Sequence, residues 1–317
     1  MAKVGWIGLG EMGRYMASNL HTHLQKIGAR PLVYTNRTLT RGSDLEASGA
    51  QPKQSVAEVV QSSDITFSCI SNDTVLIDTV QSFINSGDVR GKILCDSSTV
   101  HPDTSAAVAE DLRKAGASFV AAPVFGASPM AKAGKLIFSV AGPAAARKAI
   151  SPYLKDVMGK AVIDLGEDVS KSSMLKINGN ILVVSFMEVI AEAHVFAEKT
   201  GLGSEVLENL IGENFGPVLH SYSKRLTSGA YAPSPTQKAG FDVNLSIKDA
   251  KHALNCADAA GVKLPVSSVA LENMQAAKKF GEEQGGRAMD SSSMYGILRQ
   301  MGGLDFYTDG VKRRDST

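Results

Sequence analysis

Apolar runs and amphipathic stretches alternate through the first half of the chain. Residues 3–7, 31–35, 65–70, 92–95 and 119–121 are short runs rich in Val, Ile, Leu, Phe and Cys, bounded by Gly, Asn, Asp or Pro. Such runs read as strands buried on both faces. Between them, 13–27, 38–48, 56–62, 75–83 and 102–115 carry apolar residues at helical spacing. Strands alternating with helices predict a parallel sheet built from crossover units. Two further strands are predicted at 136–141 and 161–164, with a helix from Pro143 to about 154 between them. The pattern changes near Ser170. A long helix is predicted over 174–199, capped by Ser172 or Ser173 and ended by Gly201. It is apolar on several faces, as buried helices are. Helical patterns then recur at 205–212, 218–227, 244–260, 267–280 and 294–301. The expected fold class is α/β, a doubly wound parallel sheet over 1–169 followed by an all-helical domain over 170–317.

Composition narrows the class without changing it. Of the 317 residues, 44% are hydrophobic and 21% charged, which suits a globular chain and excludes wholesale disorder. The formal net charge of +1 gives no general attraction to nucleic acid or to an anionic membrane, and neither partner is expected. Cys69, Cys95 and Cys256 are far apart and form no C-x-x-C pair, so no disulfide framework and no metal site are expected and a reducing compartment fits. The chain opens directly into a strand, with no signal pattern, so a cytoplasmic location is expected. The stretch 181–193 is interrupted by Glu188 and Glu192 and is too short and charged to span a bilayer.

The sharpest local pattern is Gly8-Leu9-Gly10-Glu11-Met12-Gly13, between the first strand and the first helix. In that context, G-x-G-x-x-G is a dinucleotide fingerprint. The first glycine makes the turn, the second lets a pyrophosphate approach the backbone, and the third lets helix and strand pack closely. The second strand ends in Asn36-Arg37-Thr38, with no acid to hold a ribose 2′-hydroxyl. Arg37 suits a 2′-phosphate, with Asn36 and Thr38 adding hydrogen bonds, so NADP(H) is expected over NAD(H). The hydroxyl cluster Ser97-Ser98-Thr99 follows the 92–95 strand. It fits a ribose or carboxylate site, or equally a capping loop before Pro102. His101 has no partner in the sequence and reads as a loop residue. Lys176 and Asn180 are four apart, hence on one helix face. Apolar neighbours and a place early in the helix both favour a lowered lysine pKa, which suits proton transfer. Lys248-Asp249 alone reads as helix surface.

Taken together, these segments resemble the β-hydroxyacid dehydrogenase family, which includes 3-hydroxyisobutyrate dehydrogenases and glyoxylate or succinic semialdehyde reductases. The resemblance runs through Val4–Gly13, Asp96-Ser97-Ser98-Thr99 with Pro102, Ala122–Ala127, Lys176 with Asn180, and Phe241 with Lys248-Asp249, in family order along nearly the whole chain. It implies a Rossmann domain, a long interdomain helix, a helical domain and an active site in the cleft between them. Lys176 would be general acid and base, with Asn180 beside it. Thr99 and Lys248 would contact the cofactor, and Ile70, Ser71 and Val75 would flank its adenosine side. Ser98, Phe125, Gly126 and Ala127 would line the substrate, and a homodimer or homotetramer is expected.

Three positions depart from the family. Phe125 stands where a substrate-binding serine is usual, Ala127 replaces a glycine, and Gly179 replaces the first asparagine of a pair. The expected function is hydride transfer between NADP(H) and a small hydroxy acid or its aldehyde or keto partner. Imine reduction on the same fold usually places an acid or tyrosine at the Lys176 position. A non-catalytic scaffold of this fold would have the lysine replaced. A phosphorylated sugar-acid substrate would predict a longer helical domain.

Overall fold

The computed structural model describes residues 1–316. Two compact units divide the chain, Met1–Lys176 and a second beginning at Ile177. The division falls inside a helix, seven residues beyond the predicted start of the helical domain.

In the first unit the strands are β1 (Val4–Ile7), β2 (Val33–Thr35), β3 (Gln51–Pro52), β4 (Ile65–Ser68), β5 (Ile93–Asp96), β6 (Ser118–Ala121), β7 (Val124–Phe125), β8 (Leu136–Val140) and β9 (Gly159–Asp164). The helices are α1 (Gly13–Lys26), α2 (Ser43–Ala47), α3 (Val56–Gln61), α4 (Asp73–Ile84), α5 (Pro102–Lys114), α6 (Ser128–Lys132) and α7 (Ala144–Ile150), before α8 (Val169–Lys199). Six strands form a parallel sheet in the order β3-β2-β1-β4-β5-β6. The chain therefore leaves β1 in one direction and returns beside it with β4, and at such a switch point a crevice opens beyond the C-terminal strand ends. Alternate residues feed opposite faces. Trp6, Phe67 and Cys95 join a core with Met16 and Leu20 of α1. Leu94 and Phe119 join another with Val80 and Phe83 of α4 and Leu112 of α5. Both faces are covered, which is why the strands read as continuous apolar runs.

The strands predicted at 136–141 and 161–164 do not extend this sheet. They form a separate one, β7-β8-β9, in which β7 runs antiparallel to β8 and β9 parallel to it. Its two-residue β7, like β3, is too short to show a period. The segment predicted as one helix over 38–48 is a 3₁₀ turn, Leu39–Gly42, followed by α2.

α8 starts at Val169, earlier than predicted, so Ser172 and Ser173 lie within it and do not cap it. Their hydroxyls tie it sideways: Ser172 Oγ donates to the Ser139 carbonyl of β8 at 2.7 Å, and Ser173 meets Ser105 of α5 at 2.7 Å. Lys176 thus lies two turns in, where the helix-end field has died away.

The second unit is helical: the rest of α8, then α9 (Ser204–Thr227), α10 (Val243–Ala259), α11 (Pro265–Glu283), α12 (Met294–Met301) and α13 (Asp309–Asp315). The two helices predicted at 205–212 and 218–227 are α9, broken at Gly216, with φ 81° and ψ −177°. Pro217 causes the break, since it lacks an N–H and drives the residue before it out of the helical region. Met187, Tyr231, Met274 and Tyr295 centre the core. By length and composition α8 is apolar enough to cross a membrane. Its Val184, Met187 and Ala191, however, are buried within the helical unit along with Glu188.

Candidate active site

The glycine loop connects β1 to α1 at the switch point. Gly8 has φ +95°, and a Cβ there would lie 2.4 Å from the Cys69 carbonyl oxygen. At Gly13 a Cβ would meet the Gly8 carbonyl oxygen at 2.2 Å. At Gly10 it would meet nothing within 4 Å. Two glycines are thus demanded by backbone packing, and the middle one faces open space. That fits a dinucleotide whose pyrophosphate lies over Gly10 at the start of α1. Leu9 is buried, Glu11 pairs with Arg14 at 2.8 Å, and Met12 accepts a weak contact from Ser128 Oγ at 3.8 Å.

The turn after β2 divides its labour. Asn36 Oδ1 accepts the Leu9 N–H at 2.8 Å, and its amide donates to the Thr38 carbonyl at 2.8 Å. Asn36 therefore braces the glycine loop. Arg37 and Thr38 are exposed, open to a ligand.

Asp96, at the end of β5, organises the next two loops. Its buried carboxylate accepts from Ser68 Oγ at 2.6 Å and from Ser98 Oγ at 2.7 Å, and the Ser98 N–H approaches it at 3.2 Å. Ser98 Oγ in turn accepts the Ile70 N–H at 2.9 Å. One carboxylate thus holds the loops after β4 and β5 side by side. It also alters the part expected of Ser98: its proton goes to Asp96, leaving none to donate to a substrate carboxylate. Thr99 is half-buried in the same loop, while Ser71 and Val75 are exposed around the start of α4. Val75 donates its N–H to the Asn72 cap. His101 caps α5, its Nδ1 accepting the Asp103 N–H at 3.2 Å.

Phe125 and Lys176 come together across the small sheet. Val124 points into the core opposite Phe138, so Phe125, next along β7, points to the other face opposite Ile137. Ser139 lies on that face too and anchors Ser172 of α8. Lys176 follows Ser172 by one turn, and its Nζ stands 4.9 Å from the Phe125 ring centroid, in cation–π range. The ammonium is also near the strand ends. Loss of solvent around its sulfur, then Asp96, push the Cys69 thiol up to about 12, and Lys176 pulls against them. Gly126, with φ +124°, and Ala127 are exposed in the turn after Phe125, leading to Ser128 beside Met12.

Asn180 and Lys248 belong to the helical unit. Asn180 Nδ2 donates to Asp249 Oδ2 at 2.6 Å, and Lys248 Nζ lies 2.9 Å from Asp249 Oδ1. Asp249 is 4% exposed, so the pair read as ordinary helix surface includes a buried carboxylate holding both candidate residues. Asp96 and Asp249 are two residues that sequence reasoning did not single out as holding the site. Their only signal was a place inside quoted motifs, since an aspartate gives no sign of burial without its partners.

Comparisons with known proteins agree with this geometry. Residues 3–166 match the family described as the NAD binding domain of 6-phosphogluconate dehydrogenase. Residues 171–298 match that described as the NAD-binding domain of NADP-dependent 3-hydroxyisobutyrate dehydrogenase. Glyoxylate/succinic semialdehyde reductase 1 of Arabidopsis thaliana is 31% identical over 286 residues, covering 88% of this chain and 93% of its own. The NADH-dependent oxidoreductase ucdB of Aspergillus ustus is 28% identical over 301 residues, covering 94% and 99%. The 3-hydroxyisobutyrate dehydrogenase of Mycobacterium tuberculosis, solved with L-serine, superposes with a TM-score of 0.76 at 25% identity, covering 94% and 99%. With a glycine loop built for a dinucleotide and both units matched in order, the chain belongs to the β-hydroxyacid dehydrogenase family.

Proposed function

We propose that the protein is an NADP(H)-dependent oxidoreductase that interconverts a small hydroxy acid or alcohol with its aldehyde or keto partner, with Lys176 as general acid and base. The observation that carries this reading is the convergence, within Met1–Lys176, of the open glycine loop, the Asp96-held strand ends and the Lys176 ammonium. The dinucleotide, when bound, supplies the chemistry of hydride transfer, two electrons and one hydrogen to or from the substrate carbon. The chain does the rest. Gly10 admits the pyrophosphate, and Arg37 offers a bidentate guanidinium to a 2′-phosphate. Lys176 Nζ gives a proton to the carbonyl oxygen in reduction and recovers it in the reverse direction. Phe125 and the tether through Ser172 hold the lysine in place. Cys69, Cys95 and Cys256, none in a disulfide, support work in a reducing compartment such as the cytoplasm.

The reading extends to self-association. On α8 the residues Leu182, Phe186, Val189 and Phe196 fall on one stripe and are 56, 41, 53 and 71% exposed. The opposite face already fills the helical core. A helix apolar on two faces calls for a second partner, and a second copy offers the same stripe about a two-fold axis.

The test is turnover. NADPH oxidation with a panel of small aldehydes and keto acids should be measurable, and Lys176→Ala should lose about 10²–10⁴-fold in kcat while NADPH still binds. Near-normal turnover in that variant would refute the assignment.

A further inference from the structure

We infer that the site selects a carbonyl compound whose reacting carbon carries a branched-alkyl or arylmethyl group, and that Phe125 sets this preference. The inference rests on the reductase reading above and names its substrate class. Two observations weigh against the plainer alternative, in which Phe125 is a core residue and a substrate carboxylate is held by Ser98 and by backbone groups near Gly126. Phe125 is half-buried and faces away from the core that Val124 enters. The hydroxyl offered for the carboxylate, Ser98, gives its proton to Asp96.

What the ring does face is Lys176. A carbonyl oxygen accepting from Nζ at about 2.9 Å places its carbon about 3.5–4 Å from that nitrogen. The ring centroid is 4.9 Å from the same nitrogen. The carbonyl carbon then lies within about 9 Å of the ring centroid, so a bulky substituent turned toward β7 can pack on the aromatic face. The wall continues beyond Phe125. Ile137 is its direct cross-strand partner and Ala161 is the partner of Ile137, so one row across β7, β8 and β9 presents Phe, Ile and Ala on the same face. All three are half-buried. None carries a hydrogen-bonding side chain. An apolar substituent gains from covering this row, whereas a carboxylate there would lose water and gain no donor from these three side chains.

The reaction itself is that proposed above: the bound dinucleotide would supply the hydride to the carbonyl carbon and be oxidised, while Lys176 gives a proton to the carbonyl oxygen and regains it from water, leaving an alcohol. The test compares kcat/KM for phenylacetaldehyde and 3-methylbutanal with that for glyoxylate, NADPH saturating, in wild type, Phe125→Ser, Phe125→Leu and Ile137→Thr. Wild type should favour the apolar aldehydes by at least about 10-fold, as pocket contacts of this kind allow. Phe125→Ser should shrink that ratio about 10-fold or more, Ile137→Thr should move it the same way, and Phe125→Leu should keep it within about 3-fold. If Phe125→Ser proves unstable, Ile137→Thr decides in its place. A ratio unmoved by these substitutions, with turnover intact, overturns this inference and leaves the reductase reading standing. If wild type binds NADPH yet turns over no aldehyde of the panel, the reductase reading falls and this inference with it.

Discussion

Glu188 offers a measurable test of how the helical unit is built. The residue lies on α8, is 1% exposed, and accepts one hydrogen bond, from Asn273 Nδ2 at 2.5 Å on Oε1. Its other oxygen has no hydrogen-bond partner among the described residues. Burial pushes its carboxyl up to about 7; the Asn273 bond opposes this and Glu192 adds to it. The ordinary glutamate value is about 4.5. In the window between the two, the folded chain holds a proton that the unfolded chain has released. Stability from this group is therefore full below about pH 4.5 and is lost as pH rises to about 7, after which it stays flat. A difference of about 2.5 units, at 1.36 kcal/mol each, amounts to roughly 3 kcal/mol. Glu188→Gln keeps the shape and the Asn273 contact and removes the titration. Against wild type it should gain up to about 3 kcal/mol at pH 8 and almost nothing at pH 4.5. For a unit of this size that is a Tm increase of about 6–12 °C. Differential scanning calorimetry at both pH values, at fixed protein concentration, reads it directly. An equal Tm difference at pH 4.5 and pH 8 would refute the reasoning, because it would show that Glu188 titrates alike in the folded and unfolded chain.

Three further outcomes are expected. Arg37→Ala should weaken NADPH by about 10- to 150-fold in fluorescence titration and leave NADH nearly unchanged, as loss of a charged hydrogen bond to a 2′-phosphate requires; equal losses for both would remove the NADP assignment. Gly10→Ala should keep the wild-type Tm but weaken NADPH binding at least about 10-fold. Gly13→Ala, whose Cβ would sit 2.2 Å from a backbone oxygen, should lower stability itself by about 1–3 kcal/mol or more; the idea fails if the two variants behave alike. Sedimentation at micromolar concentration should show a dimer or tetramer that Phe196→Glu drives toward monomer, and a wild-type monomer would disprove the α8 stripe as a self-association face.

The parallel sheet was legible because strands buried on both faces cannot help being apolar, and because the turn between β1 and α1 needs glycine at two positions for steric reasons. The all-helical second half was legible from period alone, and even its break at Gly216 showed as a gap between two patterns. Other features depended on partners distant in sequence. β7 is a strand only because β8 lies beside it, and α8 extends to Val169 because Ser172 and Ser173 bond across to β8 and α5 and do not turn back to cap. Among the site residues, Lys176 stood out by spacing and neighbours. The anchoring parts of Asn36 and Ser98 did not, since a side chain able to hold a ligand is equally able to hold a loop.

The division of the chain at Lys176 has a consequence for its biogenesis. Every residue of the glycine loop, the Asp96 hub and the Phe125–Lys176 contact is translated before Ile177. At about 5–20 residues per second, residues 177–317 take roughly 7–28 s to be made. Over that interval the N-terminal unit is complete in sequence and free to close its sheet on the ribosome, where β1, made first, must wait for β4 to arrive. A dinucleotide that binds the closed unit favours it by mass action at that stage. The apolar stripe of α8 follows only afterwards, so if that stripe is the self-association face proposed above, the order of synthesis puts cofactor capture ahead of pairing.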